Sequence, residues 1–149
     1  MTAEGRILKI MEIKGNGLVG LVVVSHSNKL AEEVINFAKL LQQEDFKIEN
    51  GGNINQKVYG ATVDTIKDAI RRADEGQGVL VFVDMGSSIF NAAKVVEDLQ
   101  GEVKVEIADA PLVEGIISAV AANFDEMSLS ELKEIAEGSR NFKKIKKER

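Results

Sequence analysis

The sequence predicts an α/β fold, an open and mostly parallel sheet with helices on both faces. Three observations carry that prediction. Seven of the eight residues after Gly17 are apolar or Gly, and the run stops at Ser25-His26-Ser27. Val79-Leu80-Val81-Phe82-Val83 forms a second continuous apolar run, which stops at Asp84. Runs this short and this uniformly apolar read as strands buried on both faces of a parallel sheet. Each is followed by apolar residues at helical spacing, so strand and helix alternate with right-handed crossovers.

Taken in order, Met1–Asn16 mixes Ile7, Leu8, Ile10, Met11 and Ile13 with charges before a Gly-Asn-Gly break. Three readings of this segment stand: an extra edge strand, an added leader, or a start at Met11. The domain proper is expected over residues 17–138. After the first strand, Leu30, Val34, Phe37 and Leu41 mark a helical stripe. Phe46-Lys47-Ile48-Glu49 alternates and reads as a half-buried strand nearer an edge. Asn50-Gly51-Gly52-Asn53 then supplies turn chemistry. Ile66, Ala69, Ile70 and Ala73 line one face of the second helix, which ends at Gly76-Gln77-Gly78. After the second apolar run, Ile89, Ala93, Val96 and Leu99 predict a third helix, with Ser87 or Ser88 as its cap. Val103, Val105 and Ile107 alternate with Lys104 and Glu106, a fourth strand. Pro111 is expected at the first position of the next helix, whose stripe is Leu112, Ile116, Val120 and Phe124. Leu129, Leu132 and Ile135 belong to a last helix ending at Gly138. Residues 139–149 form a basic tail, read as a solvated, frayed end; the functional alternative is an anionic partner or surface.

Composition narrows the function classes. The 149 residues are 44% hydrophobic, which argues against disorder and fits one domain with a real core. There is no Cys, so no disulfide, thiol nucleophile or zinc-thiolate site. One His without Cys makes a zinc site unexpected. No apolar run is long enough for a membrane helix and the first residues lack a signal-peptide pattern, so the expected location is cytoplasmic. A net charge of −5 makes nucleic acid an unexpected partner.

Three turns follow strands and would share one sheet edge: Ser25-His26-Ser27, Asp84-Met85-Gly86-Ser87-Ser88 and Asp109-Ala110-Pro111. In open α/β sheets ligands bind at that edge. It would gather an imidazole, a carboxylate and helix N-termini, a set suited to a phosphoryl group carried on histidine. Imidazole is a usable nucleophile near neutral pH without a metal. Asp84 accepting from one ring N–H would hold the tautomer that leaves the other nitrogen free. Ser27, Gly86, Ser87 and Ser88 would then meet the phosphoryl oxygens beside a helix start. Plainer readings stand beside this one: a capping or surface histidine, a helix-capping Asp84, and a Gly-Ser-Ser helix start of no special purpose. No Gly-x-Gly-x-x-Gly or Walker pattern specifies a nucleotide pocket, and no cofactor is expected.

Leu21-Val22-Val23-Val24-Ser25-His26-Ser27, then Asp84-Met85-Gly86-Ser87, then Ala110-Pro111-Leu112-Val113-Glu114-Gly115 stand in this order over residues 18–125. Together they resemble the phosphotransfer subunit of the phosphoenolpyruvate-dependent dihydroxyacetone kinase, a relative of the mannose-type IIA domain of sugar phosphotransferase systems. Gly51-Gly52 and Gly60 fit the same pattern, whereas Ala61 stands where many relatives have Thr. The resemblance implies a homodimer on a parallel sheet of order 2-1-3-4. It implies that His26 takes a phosphoryl group from the histidine-containing phosphocarrier protein and passes it to ADP on the nucleotide-binding subunit of the kinase. Asp84 then orients His26, and Gly86 and Ser87 form the phosphate-side loop. The alternatives are a IIA domain of a mannose-type sugar transporter, handing phosphate to a IIB protein, and a non-catalytic regulatory or binding module.

Overall fold

The computed structural model describes residues 17–53 and 60–147. The expectations for Met1–Asn16 and for the last two residues of the basic tail lie outside the described residues, as do residues 54–59.

The elements are β1 (Gly20–Val24), α1 (Asn28–Lys39), β2 (Ile48–Asn50), α2 (Val63–Ala73), β3 (Val79–Val83), α3 (Ser87–Asp98), β4 (Val105–Ala108), α4 (Leu112–Ala122) and α5 (Leu129–Gly138). A 3₁₀ turn, Ser139–Asn141, follows. All four strands are parallel and lie in the order β2-β1-β3-β4, the order that the resemblance implied. The two apolar runs are the two central strands, in register from Gly20 against Val79 to Val24 against Val83.

Two apolar layers sandwich the sheet. On one face α1, α4 and α5 cover Leu21, Val23, Leu80 and Phe82. On the other, α2 and α3 cover Val22, Val24, Val79 and Val81. Because alternate side chains of a strand point to opposite faces, a sheet covered on both sides needs an unbroken apolar run. That requirement accounts for the composition of β1 and β3. Phe82 is 1% exposed, at the centre of the larger layer. Phe82→Ala should lower unfolding free energy by about 3–5 kcal/mol in a urea titration, with the slope of the transition unchanged.

Two helical stripes differ from expectation. In α1 the buried residues are Ala31, Val34, Ile35 and Ala38, whereas Leu30, Phe37 and Leu41 are exposed. In α3 the buried track is Ser88, Ala92 and Val95, continued by Leu99, and Ile89 is exposed. In both helices the buried face is rotated from the expected stripe, in α1 about Val34, which the two share. The α2 stripe is as expected, with Ile66, Ala69, Ile70 and Ala73 fully buried. Phe124, expected on the α4 stripe, is exposed. Pro111 is the residue before α4, one position earlier than expected, and its extended backbone leads into Leu112.

The basic tail starts as packed chain rather than a frayed end. Ser139 is buried and its hydroxyl donates to the Ala136 carbonyl at 2.6 Å. Arg140 donates to the Asp109 carbonyl and lies 3.3 Å from its carboxylate. Lys144 Nζ sits 3.1 Å from Glu114 Oε2. Residues 142–147 are exposed, Lys144 with them.

Candidate functional site

The sheet order places the site. The chain leaves β1 toward β2 on one side and leaves β3 toward β4 on the other, so a crevice opens between the carboxyl ends of β1 and β3. The first residues beyond those ends are Ser25-His26 and Asp84. The Asp84 N–H donates to the Val24 carbonyl at 3.2 Å, which extends the strand pairing by one step and fixes Asp84 beside His26.

Asp84 lies within a cluster of donors. Its Oδ2 accepts from the Ser25 hydroxyl at 2.9 Å and from the His26 backbone N–H at 2.9 Å. Its Oδ1 accepts from the Met85 N–H at 2.6 Å and faces His26 Nδ1 at 3.1 Å. The carboxylate is 15% exposed and the imidazole 42%. Burial alone pushes the Asp84 carboxyl up. The N–H groups of His26 and Met85 and the hydroxyls of Ser88 and Ser25 outweigh it and hold the pKa at about 2.

That lowered value is a statement about stability. A carboxyl depressed on folding contributes stability that is fully present above its ordinary value of 3.8 and is lost as pH falls through about 2. The urea midpoint of Asp84→Asn should therefore lie below that of the wild type at about pH 6, and the two should converge toward about pH 2. A gap that stays constant over this range would contradict the assignment.

With Asp84 ionised and facing Nδ1, the ring is held with its proton on Nδ1. Nε2 then carries the free lone pair. Ser87 Oγ lies 2.9 Å from Nε2, and Ser88 Oγ lies 3.3 Å from Nδ1. Ser87 or Ser88 was expected to cap α3, yet the residue at the cap is Gly86, with no side-chain cap bond. Both hydroxyls turn toward the imidazole instead. Gly86 has φ 54° and ψ −122°, backbone that an L side chain rarely adopts. A Cβ there would sit 3.7 Å from His26 Cε1. Gly86→Ala should thus cost about 1–3 kcal/mol in stability by denaturant titration, through backbone strain rather than a clash.

The remaining expected residues divide. Ser27 caps α1, its Oγ accepting from the Leu30 N–H at 3.1 Å, and among the described residues no bond joins it to the imidazole. Asp109 is engaged elsewhere, its N–H donating to Glu137 Oε2 at 2.9 Å and its carboxylate meeting Arg140. Sequence reasoning missed Ser25 as a site residue. It is 1% exposed, and its hydroxyl both donates to Asp84 and accepts from the Ser27 N–H at 3.0 Å. The available signal was a polar residue ending a buried strand, a position that demands partners for its hydroxyl. Gly60 was noted only as part of a pattern. At φ +81° its backbone lies beside the His26 carbonyl, 3.4 Å from where a Cβ would stand.

An open parallel sheet with an imidazole, a clamped carboxylate and a helix start at its switch point defines the class, an α/β domain with a polar site at the carboxyl ends of its central strands. The sequence model described as PTS system fructose IIA component matches residues 20–137, and the chain belongs to this family, EIIA-man. The chain is 36% identical over 110 residues to the Escherichia coli "PEP-dependent dihydroxyacetone kinase, phosphoryl donor subunit DhaM", covering 70% of this chain and 23% of that relative. It is 31% identical over 104 residues to the Listeria innocua "PEP-dependent dihydroxyacetone kinase 2, phosphoryl donor subunit DhaM", covering 68% of this chain and 83% of the relative. It thus spans 23% of the length of the Escherichia coli relative and most of the Listeria one. Two crystal structures share the fold. One, of a protein of unknown function, has a TM-score of 0.68 at 24% identity, covering 79% of this chain and 92% of the other. The other, a sigma-54 interaction domain protein from Enterococcus faecalis, has a TM-score of 0.61 at 18% identity, covering 84% and 92%. Among the described residues no helix is long and apolar enough to cross a membrane.

Proposed function

We propose that this chain is a phosphohistidine carrier of the dihydroxyacetone kinase system, with Nε2 of His26 as the atom that carries the phosphoryl group. The observation that carries the reading is the division of labour on one ring. Nδ1 faces a carboxylate held ionised, and Nε2 faces a hydroxyl at the start of α3. Kinship with the phosphoryl donor subunits supports the system.

In the proposed step, the Nε2 lone pair attacks the phosphorus of the phosphohistidine on the histidine-containing phosphocarrier protein. The N–P bond of the donor breaks as the new one forms, and the donor imidazole takes back its electron pair. The His26 ring becomes cationic, and Asp84 stabilises that charge across the Nδ1–H bond. Ser87 gives up its contact with Nε2 and its hydroxyl is placed to donate to a phosphoryl oxygen. The Ser88 N–H donates to the Met85 carbonyl and the Ile89 N–H to the Gly86 carbonyl, so what the start of α3 offers the same anion is its Ser87 hydroxyl and the positive end of the helix dipole. A terminal β-phosphate oxygen of ADP, on the nucleotide-binding subunit, then attacks the phosphorus and releases Nε2. Such transfer needs positioning and charge stabilisation above all, which a small rigid carrier supplies. We place the carrier in the cytoplasm, as a homodimer.

A second reading is favoured by the family's description as a sugar phosphotransferase component: the phosphoryl group passes to a IIB protein instead. The chain charged by phosphoenolpyruvate, the general phosphotransferase enzyme and the phosphocarrier is offered either the kinase subunits with dihydroxyacetone or a IIB protein. Formation of dihydroxyacetone phosphate, with no transfer to IIB, is expected. Transfer to IIB alone would select the second reading.

A further inference from the structure

We propose that Ser25 is a positioning residue for the His26–Asp84 pair: its buried hydroxyl fixes the rotation of the Asp84 carboxylate and, through it, the tautomer of His26. For transfer this rests on the phosphohistidine reading, but the tautomer claim stands on geometry alone.

A hydroxyl has one proton and two lone pairs. Here the proton goes to Asp84 Oδ2 at 2.9 Å and a lone pair takes the Ser27 N–H at 3.0 Å. Ser25 is 1% exposed, so its partners are protein groups rather than bulk water. With the Ser25 hydroxyl and the His26 N–H both aimed at Oδ2, the carboxylate is held with Oδ1 toward Nδ1 at 3.1 Å, against 3.3 Å for Oδ2. Without the Ser25 donor, Oδ2 keeps the His26 N–H and the carboxylate is free to draw away from the ring, lengthening the contact that both of its oxygens now make with Nδ1 at 3.1 and 3.3 Å. The Nδ1–H form is then no longer enforced, and the fraction of molecules with a free Nε2 lone pair falls. Ser25 touches neither ring nitrogen, so its effect runs through Asp84.

The test compares Ser25→Ala, and the near-isosteric Ser25→Cys should Ala fail to fold, with the wild type. His26 is the only histidine in the chain, so a ¹⁵N–¹H long-range correlation spectrum reports its tautomer without ambiguity. The wild type should show Nδ1–H alone, and both variants a mixture of Nδ1–H and Nε2–H. With the charged phosphocarrier as probe, the maximal transfer rate should fall roughly tenfold, the loss expected for one hydrogen bond to a charged group, with KM for the phosphocarrier unchanged. In an Asp84→Asn background Ser25→Ala should cause no further loss, because the carboxylate through which it acts is gone. A loss of equal size in that background would show that Ser25 only holds the turn, and would overturn the proposal. So would a variant tautomer identical to that of the wild type. If the wild type takes up no phosphoryl group, the carrier reading fails, and the tautomer spectra still decide the role of Ser25.

Discussion

His26→Ala should abolish phosphoryl uptake from the charged phosphocarrier while leaving the fold intact. The two halves of this expectation have separate physical grounds. Uptake is lost because, in the proposed step, Nε2 is the nucleophile, and it leaves with the ring. The fold survives because the side chain is 42% exposed and fills no part of either apolar layer. Asp84 also keeps most of its donors. The Ser25 hydroxyl, the Met85 N–H and the backbone N–H of residue 26 all remain after the substitution. The change in unfolding free energy should therefore stay within about 1 kcal/mol by denaturant titration. Wild-type uptake by this variant would remove His26 from the mechanism.

Asp84→Asn should slow transfer on the order of a hundredfold, the lower end of what a positioned acid–base group contributes, and should destabilise the fold more than His26→Ala does. An amide offers one acceptor and one donor group where the carboxylate offers two acceptors. Both sides of Asp84 meet donors: Ser25 and His26 N–H on one, Met85 N–H and Nδ1–H on the other. If the amide nitrogen faces the ring, Nδ1 must accept, the proton moves to Nε2, and the nucleophilic lone pair is gone. In that orientation the amide NH₂ also confronts the Met85 N–H. The cost of one unsatisfied buried donor is about 1–3 kcal/mol. Single-turnover transfer rates and urea midpoints measure the two effects separately. A variant with both unchanged would remove Asp84 from the site.

The strands were legible because double burial forces an unbroken apolar run, and β1 and β3 leave no second reading. The pairing of His26 with Asp84 was legible for a related reason. Both residues end such runs, and adjacent parallel strands bring their carboxyl ends together. The helix faces were less so. In α1, Leu30-Val34-Phe37-Leu41 and Ala31-Val34-Ile35-Ala38 satisfy the same 3.6-residue period, and side-chain size favoured the wrong track. Which of the two tracks faces the sheet is a choice made by tertiary packing. The serines show a further limit. Ser27, Ser87 and Ser88 all sit at helix starts, where any of them can cap. Only the backbone of Gly86, which serves as the cap itself, turns Ser87 and Ser88 toward the imidazole. Ser25 was read as part of a turn, since its burial under Asp84 depends on β3 lying beside β1.

Nε2 of His26 is the proposed carrier of the phosphoryl group. The most direct test of this role is to charge the chain with phosphoenolpyruvate, the general phosphotransferase enzyme and the phosphocarrier. Intact mass is then recorded under alkaline conditions, and ¹⁵N–³¹P couplings locate the bond on the ring. One added phosphoryl group is expected, labile to acid, absent in His26→Ala and bonded to Nε2. A phosphoryl group on Nδ1, or none when the phosphocarrier is demonstrably charged, would contradict this role.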